Sequence, residues 1–213
     1  GINVMVRFRM GSDPFLAGAQ PGVGWFIDDI EFTNPQSCPI ELTKVVSTKT
    51  HNGTAFEVLM PPAGALGVEP RRGGGSNNGE HQVVFKFGKP VTFTGASVAP
   101  AAGKTAEVAS SAVSGNDVLV NLRNVSNAQT LTITLAGVNA GGASADITVP
   151  MGVLVGDTTG DGTVNSGDSA VTRSRSGQLA DVNNFRSDVN VDGAVNSGDA
   201  MVVRSNSGTT VTP

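Results

Sequence analysis

Asp157-Thr-Thr-Gly-Asp161-Gly-Thr-Val-Asn165-Ser-Gly-Asp168 returns 31 residues later as Asp188-Val-Asn-Val-Asp192-Gly-Ala-Val-Asn196-Ser-Gly-Asp199. Extended to 157–177 against 188–208, the two copies share thirteen identities in twenty-one positions. In-register duplication at this density marks a structural unit used twice. One Asp/Asn/Gly-rich stretch alone would read as a solvated turn, but two aligned copies do not.

The spacing inside each copy has a chemical reason. Calcium is a hard cation that takes about six to eight oxygens, and a twelve-residue loop supplies them from positions 1, 3, 5, 7, 9 and 12. Position 6 must turn sharply, and Gly162 and Gly193 stand there. Position 7 offers only its carbonyl, so Thr163 and Ala194 differ freely. Position 8 is apolar, Val164 and Val195, and is expected to let the loops pair back to back. Position 12 is Asp168 or Asp199, where ordinary EF-hands carry Glu. Upstream, Pro150, Gly152 and Gly156 read as strand and turn, so no helix enters the first loop.

Two calcium loops, each followed by an exit helix only and closed by Asp, resemble a type I dockerin over roughly 157–208. The resemblance implies two calcium ions. Loop one would use Asp157, Thr159, Asp161, Thr163, Asn165 and Asp168; loop two would use Asp188, Asn190, Asp192, Ala194, Asn196 and Asp199. It also implies a partner, the cohesin module, contacted through Ser166, Gly167, Arg173, Ser197, Gly198 and Arg204. Three features depart from the family pattern: Thr159 at position 3, Gly at position 11, and exit helices that stop early at Ser176-Gly177 and Ser207-Gly208.

Working towards the N-terminus, residues 37–154 read as an immunoglobulin-like β-sandwich. Short strands are expected near 41–48, 54–60, 81–88, 90–97, 104–112, 117–123, 129–136 and 145–154. Alternation is clearest in Asp117–Arg123 and 129–136, where every second residue is apolar. Asn52-Gly53, Gly88-Lys89-Pro90, Ser114-Gly115-Asn116 and Gly141-Gly142 are turn signals, and 61–80 reads as a long loop. Residues 1–36 hold two strand patterns, 2–9 and 24–33, which resemble the closing strands of jelly-roll modules in large secreted bacterial hydrolases and peptidases. The expected whole is mainly β: a truncated jelly-roll end (1–36), the sandwich (37–154), and a small all-α dockerin with two calcium loops (155–213).

Composition agrees with a β body, with 28 Gly and only 15% charged residues among 213. The net charge of −4 gives no electrostatic reason for a nucleic acid or anionic-membrane partner. The acid is concentrated: from Gly156 onward seven Asp face four Arg, a net of −3, leaving −1 for everything before. Such a segment needs a counter-ion. Cys38 stands alone, which excludes an internal disulfide. The chain opens at Gly1 inside a strand pattern without Met, so it is expected to be the C-terminal piece of a longer protein.

Other candidates carry less. His51 and His81 have no Cys or acid at ligand spacing and read as ordinary residues; Asp28-Asp29 reads as a solvated strand end; Trp25 reads as core; Arg71-Arg72 reads as a solvated pair. No Ser/His/Asp order or nucleophile motif is present, so no enzyme active site is expected. The functional expectation is a non-catalytic, calcium-binding anchor on a secreted, polysaccharide-degrading parent. The rival readings are the accessory tail of a secreted peptidase or glycosidase, and a carbohydrate-binding sandwich; one Trp and no Tyr argue against the latter.

Overall fold

Alternating burial drives the architecture. In β7 (Asp117–Arg123), Val118, Val120 and Leu122 point inward, and in β8 (Gln129–Asn139), Leu131, Ile133 and Leu135 do the same. A strand with one apolar face must bury it against another layer. The computed structural model, which describes residues 40–73, 79–142 and 144–211, shows two sheets meeting on those faces. The expected strands at 2–9 and 24–33, with Trp25, Asp28-Asp29 and Cys38, lie outside the described residues.

The first sheet contains β1 (Leu42–His51), β2 (Thr54–Leu59), β4 (His81–Phe87), β6 (Glu107–Ser114) and β7, in the order β2-β1-β4-β7-β6, all antiparallel. The second contains β3 (Val68–Glu69), β5 (Gly95–Ala99), β8 and β9 (Ser144–Val153), in the order β3-β9-β8-β5. Their shared core includes Val45, Phe85 and Val120 from one sheet and Ile133, Val149 and Met151 from the other. Contacts divide the chain into Gly1–Pro35 and Gln36–Pro213, so the sandwich and the C-terminal segment belong to one unit.

Asn52 (φ 46°) and Gly53 (φ 89°) form the tight β1–β2 turn, whose positive φ angles Asn tolerates and Gly adopts freely. Two expectations need correction. The strand read at 90–97 is observed at Gly95–Ala99, because Gly137 (φ 59°) bulges the partner strand β8 and leaves Thr92 only an isolated bridge to Asn139. The loop read at 61–80 contains β3, which pairs in parallel with β9 through Val68–Gly152 and Glu69–Val153.

His81 is 4% exposed and its Nδ1 has no hydrogen-bond partner among the described residues. Burial, with Lys49 nearby, pushes it from 6.5 to about 3. The unfolded chain takes up that proton near its ordinary value and the folded chain does not. Its contribution is therefore complete above about pH 6.5 and drains away as pH falls towards 3. Thermal unfolding followed across that window should show a shallower acid loss for His81→Leu than for the parent. Parallel profiles would contradict this assignment.

Candidate metal centre

Each loop ends by starting a helix, and the helix start fixes the last carboxylate. Asn165 caps α1 (Ser166–Ser174) by accepting from Gly167 N at 2.6 Å, and Asp168 reaches back to Asn165 N at 2.8 Å. Asn196, Gly198 and Asp199 repeat the arrangement at α2 (Ser197–Ser205), at 2.7 and 2.9 Å. This reciprocal cap satisfies backbone donors that a helix start leaves open, and it aims Asp168 and Asp199 into their loops.

In loop one, Asp157 is buried and its two oxygens accept from Gly160 N (2.7 Å), Asp161 N (3.2 Å) and Gly162 N (3.0 Å). Gly162 (φ 84°) supplies the turn that delivers its N–H. Asp161 accepts from Thr163 N at 2.9 Å, and Asn165 Nδ2 lies 3.5 Å from the Thr163 carbonyl. Thr159 Oγ1 sits between Asp168 (3.0 Å) and Asp157 (3.3 Å).

In loop two, Asp188 accepts from Gly193 N at 2.8 Å and Asp192 N at 3.2 Å, with Gly193 at φ 96°. Asn190 and Asn196 amides hold Asp192, at 2.9 and 3.1 Å, and Asn190 N donates to Asp199 at 3.0 Å. One carboxylate oxygen each from Asp188, Asp192 and Asp199 lies within 4.8 Å of the others.

Packing like charges this closely has a cost. Burial raises Asp199, and the neighbouring Asp188 and Asp192 push it further. Burial raises Asp157 too; the Gly162 and Gly160 N–H groups oppose the shift and Asp168 adds to it. Slight burial would raise Asp192, but the Ala194 N–H and the two Asn amides hold it below the usual range. A partly buried, all-oxygen, mutually repelling donor set fits a hard divalent cation. Calcium bound there would neutralise that repulsion.

The loops do not pair back to back. Val164 bonds to the segment after α2, with Val164 N to Thr209 O at 2.9 Å and Gly208 N to Val164 O at 2.8 Å. Val195 pairs instead in a short ladder of β10 (Gln178–Leu179) and β11 (Ala194–Val195), with Gly177 N to Val195 O at 2.8 Å. Each loop is thus clasped by the chain leaving the other loop's helix. Those exits turn back at Gly177 (φ 87°) and Gly208 (φ 89°), which stops the helices early and frees the next residues to pair.

Residues 155–206 match the model of the dockerin type I domain family. This segment is a dockerin type I domain. No curated protein and no solved structure matches the chain. Dockerin domains bind calcium and imply non-catalytic anchoring to cohesin modules. The expected all-α description is corrected: the dockerin carries two short α-helices, one 3-10 turn (Phe185–Ser187) and the β10–β11 ladder. Among the described residues no helix is long and apolar enough to cross a membrane.

The expected partner residues fall on one face. Ser166, Arg173, Ser197 and Arg204 are exposed and line a groove between α1 and α2, together with Ser169, Ala200, Met201 and Ser207. Gly167 and Gly198 stand beside it at the helix starts, where their N–H groups serve the caps.

The dockerin also meets the sandwich, through residues that the sequence leaves looking ordinary. Arg71 is not solvated: it is fully buried, and its guanidinium grips Glu69 twice at 2.7 Å. Burial alone would raise Glu69, but the charge and hydrogen bonds of Arg71 hold it far below the usual carboxylate range. Nor is His51 an ordinary residue, since it is buried between Arg71 and Asp188. Phe185 of the dockerin stacks on Phe56 of β2, with centroids 5.2 Å apart and planes 6° apart, under the Arg71 cation at 5.3 Å. Arg186 donates to Val68 O of β3 (3.2 Å) and to Asp157 O (3.0 Å). The one available signal was an Arg next to Pro70 in an apolar-flanked stretch, Gly67-Val68-Glu69-Pro70-Arg71, and it names no partner.

Proposed function

We propose that residues 155–213 dock the protein onto a cohesin-bearing partner with one calcium ion in each loop, and that residues 37–154 serve as a β-sandwich spacer. The calcium ligands are Asp157, Thr159, Asp161, Thr163 O, Asn165 and Asp168 in loop one, and Asp188, Asn190, Asp192, Ala194 O, Asn196 and Asp199 in loop two. The observation that carries the docking reading is the doubled Ser–Arg pair, Ser166/Arg173 and Ser197/Arg204, exposed along one groove. Arg is one of the side chains enriched at the energetic centre of interfaces, and a groove between two short helices concentrates both copies. The dockerin match supports a secreted, polysaccharide-degrading setting, in which this region contributes anchoring without chemistry. Immobilised cohesin modules should retain the chain in calcium and release it in chelator. A chain that binds no cohesin of a broad panel while calcium is present would overturn the reading.

The loops are expected to load unequally. Thr159 offers a short hydroxyl that is already shared between Asp157 and Asp168, where Asn190 offers a longer amide carbonyl. Calorimetric titration of Asp161→Ala, which leaves loop two, should give a dissociation constant about tenfold tighter than Asp192→Ala, which leaves loop one. The reverse order would show that ligand reach does not set the ranking.

A further inference from the structure

Position 1 is occupied by Asp in both loops, yet the two carboxylates have different surroundings. Asp157 accepts from its own loop alone: Gly160 N, Asp161 N, Gly162 N and Thr159 Oγ1. Asp188 accepts from its loop and also from the sandwich, where His51 Nδ1 lies 2.7 Å from Asp188 Oδ2. Both side chains are fully buried, and 137 residues of chain separate them.

The proton on that bond can be placed. His51 Nε2 lies 3.1 Å from Arg71 Nη1, and a guanidinium can only donate. Nε2 therefore accepts, and Nδ1 carries the hydrogen that goes to Asp188. Arg71 is itself immobilised: Nε and Nη2 bond to Glu69, Nη1 to Phe56 O and Nη2 to Ser47 O. Ser47 Oγ closes the chain on Glu69 Oε2 at 2.5 Å. The β1–β2 turn delivers His51 to this place, and its Asn52 packs so closely on Gly193 that a Cβ on Gly193 would strike it.

We propose that the sandwich supplies the outer shell of calcium loop two, with His51 as a positioning residue that Glu69 and Arg71 hold against Asp188. The proposal rests on the calcium reading of loop two. Outer-shell partners fix the orientation of a ligating carboxylate, and their removal typically weakens metal affinity about 10- to 100-fold. Coupling between two equilibria is reciprocal, so calcium in loop two favours the folded sandwich just as the folded sandwich favours calcium. Loop one has no such partner among the described residues and serves as the internal control.

Calorimetric calcium titration of the whole chain provides the test, in an Asp161→Ala background that isolates loop two. His51→Leu should weaken loop two by about 10- to 100-fold. His51→Asn, whose amide can still donate to Asp188, should recover most of the loss. The same His51 variants in an Asp192→Ala background should leave loop one within about twofold. Loop-two affinity unchanged in His51→Leu, or loss without recovery in His51→Asn, would overturn the proposal. If the Asp161→Ala chain with native His51 takes up no calcium, the reading of loop two as a calcium site falls first and the proposal with it. Should His51→Leu fail to fold, nitrogen NMR of the native imidazole decides. Calcium should shift the His51 Nδ1 resonance in the parent and leave it in place in Asp192→Ala; no shift in the parent would overturn the proposal.

Discussion

Chelation of calcium is expected to unfold the dockerin segment and to lower the melting temperature of the whole 36–213 unit. The apolar cluster on which the dockerin rests has seven buried side chains among the described residues, and two of them, Val68 and Leu154, belong to the sandwich strands or the residue beyond β9. That is a small core for more than fifty residues whose backbone order must be maintained. Against it stand three carboxylates crowded within 4.8 Å in loop two, and Asp157 beside Asp168 in loop one. Without a cation, folding brings these charges together uncompensated. With free calcium at about a thousand times the dissociation constant, each filled site adds about 4 kcal/mol to stability. Two such sites exceed what a cluster of this size leaves as surplus. Circular dichroism and calorimetric melting with calcium and then with excess chelator check the point. Superimposable spectra and melting curves would show that the loops fold without a cation.

The second large effect concerns the α1/α2 groove. Ser166 and Arg173 stand on α1 as Ser197 and Arg204 stand on α2, and all four are exposed. The exchange of clasps, loop one with the chain after α2 and loop two with the chain after α1, relates the halves as a twofold operation would. A partner that engages one half at a time can therefore dock in either of two orientations. Replacing Ser166 with Trp and Arg173 with Glu removes one orientation, and losing one of two equivalent modes lowers affinity only about twofold, roughly 0.4 kcal/mol. The same changes at Ser197 and Arg204 should cost equally little. All four together leave no usable orientation and should weaken binding at least about a hundredfold, close to 3 kcal/mol. Binding of the three variants to one cohesin, measured side by side in saturating calcium, decides between this and recognition by a single helix. A hundredfold loss from either half-variant alone would establish the latter.

Both expectations draw on features that were legible in the chain before any fold was known. Loop spacing, Gly162 and Gly193, and the Asp at position 12 of each loop all operate within twelve residues of chain. At that range, backbone geometry brings neighbours in sequence together whatever else the protein does. The alternation of Val118, Val120 and Leu122 is legible for the same reason, because strand pleating turns sequence parity directly into a buried face. Long-range contacts carry no such signature. The chain's order of residues shows Arg71 as a charge in a Gly/Pro-rich stretch, and only folding brings His51 and Phe185 around it. Val164 and Val195 do not pair with each other, because each finds a closer partner in the chain leaving the other loop's helix. The bond from His51 to Asp188 spans 137 residues, and no periodicity or spacing encodes a contact that depends on where the β1–β2 turn comes to rest. Sequence alone determined where the two twelve-residue loops and their oxygen-bearing side chains lie. The tertiary structure decided that one of the two loops is completed by the sandwich, because Asp188 is buried at that seam and His51 is the side chain the fold delivers to it beside the loop's own Gly193 and Asp192 N–H groups.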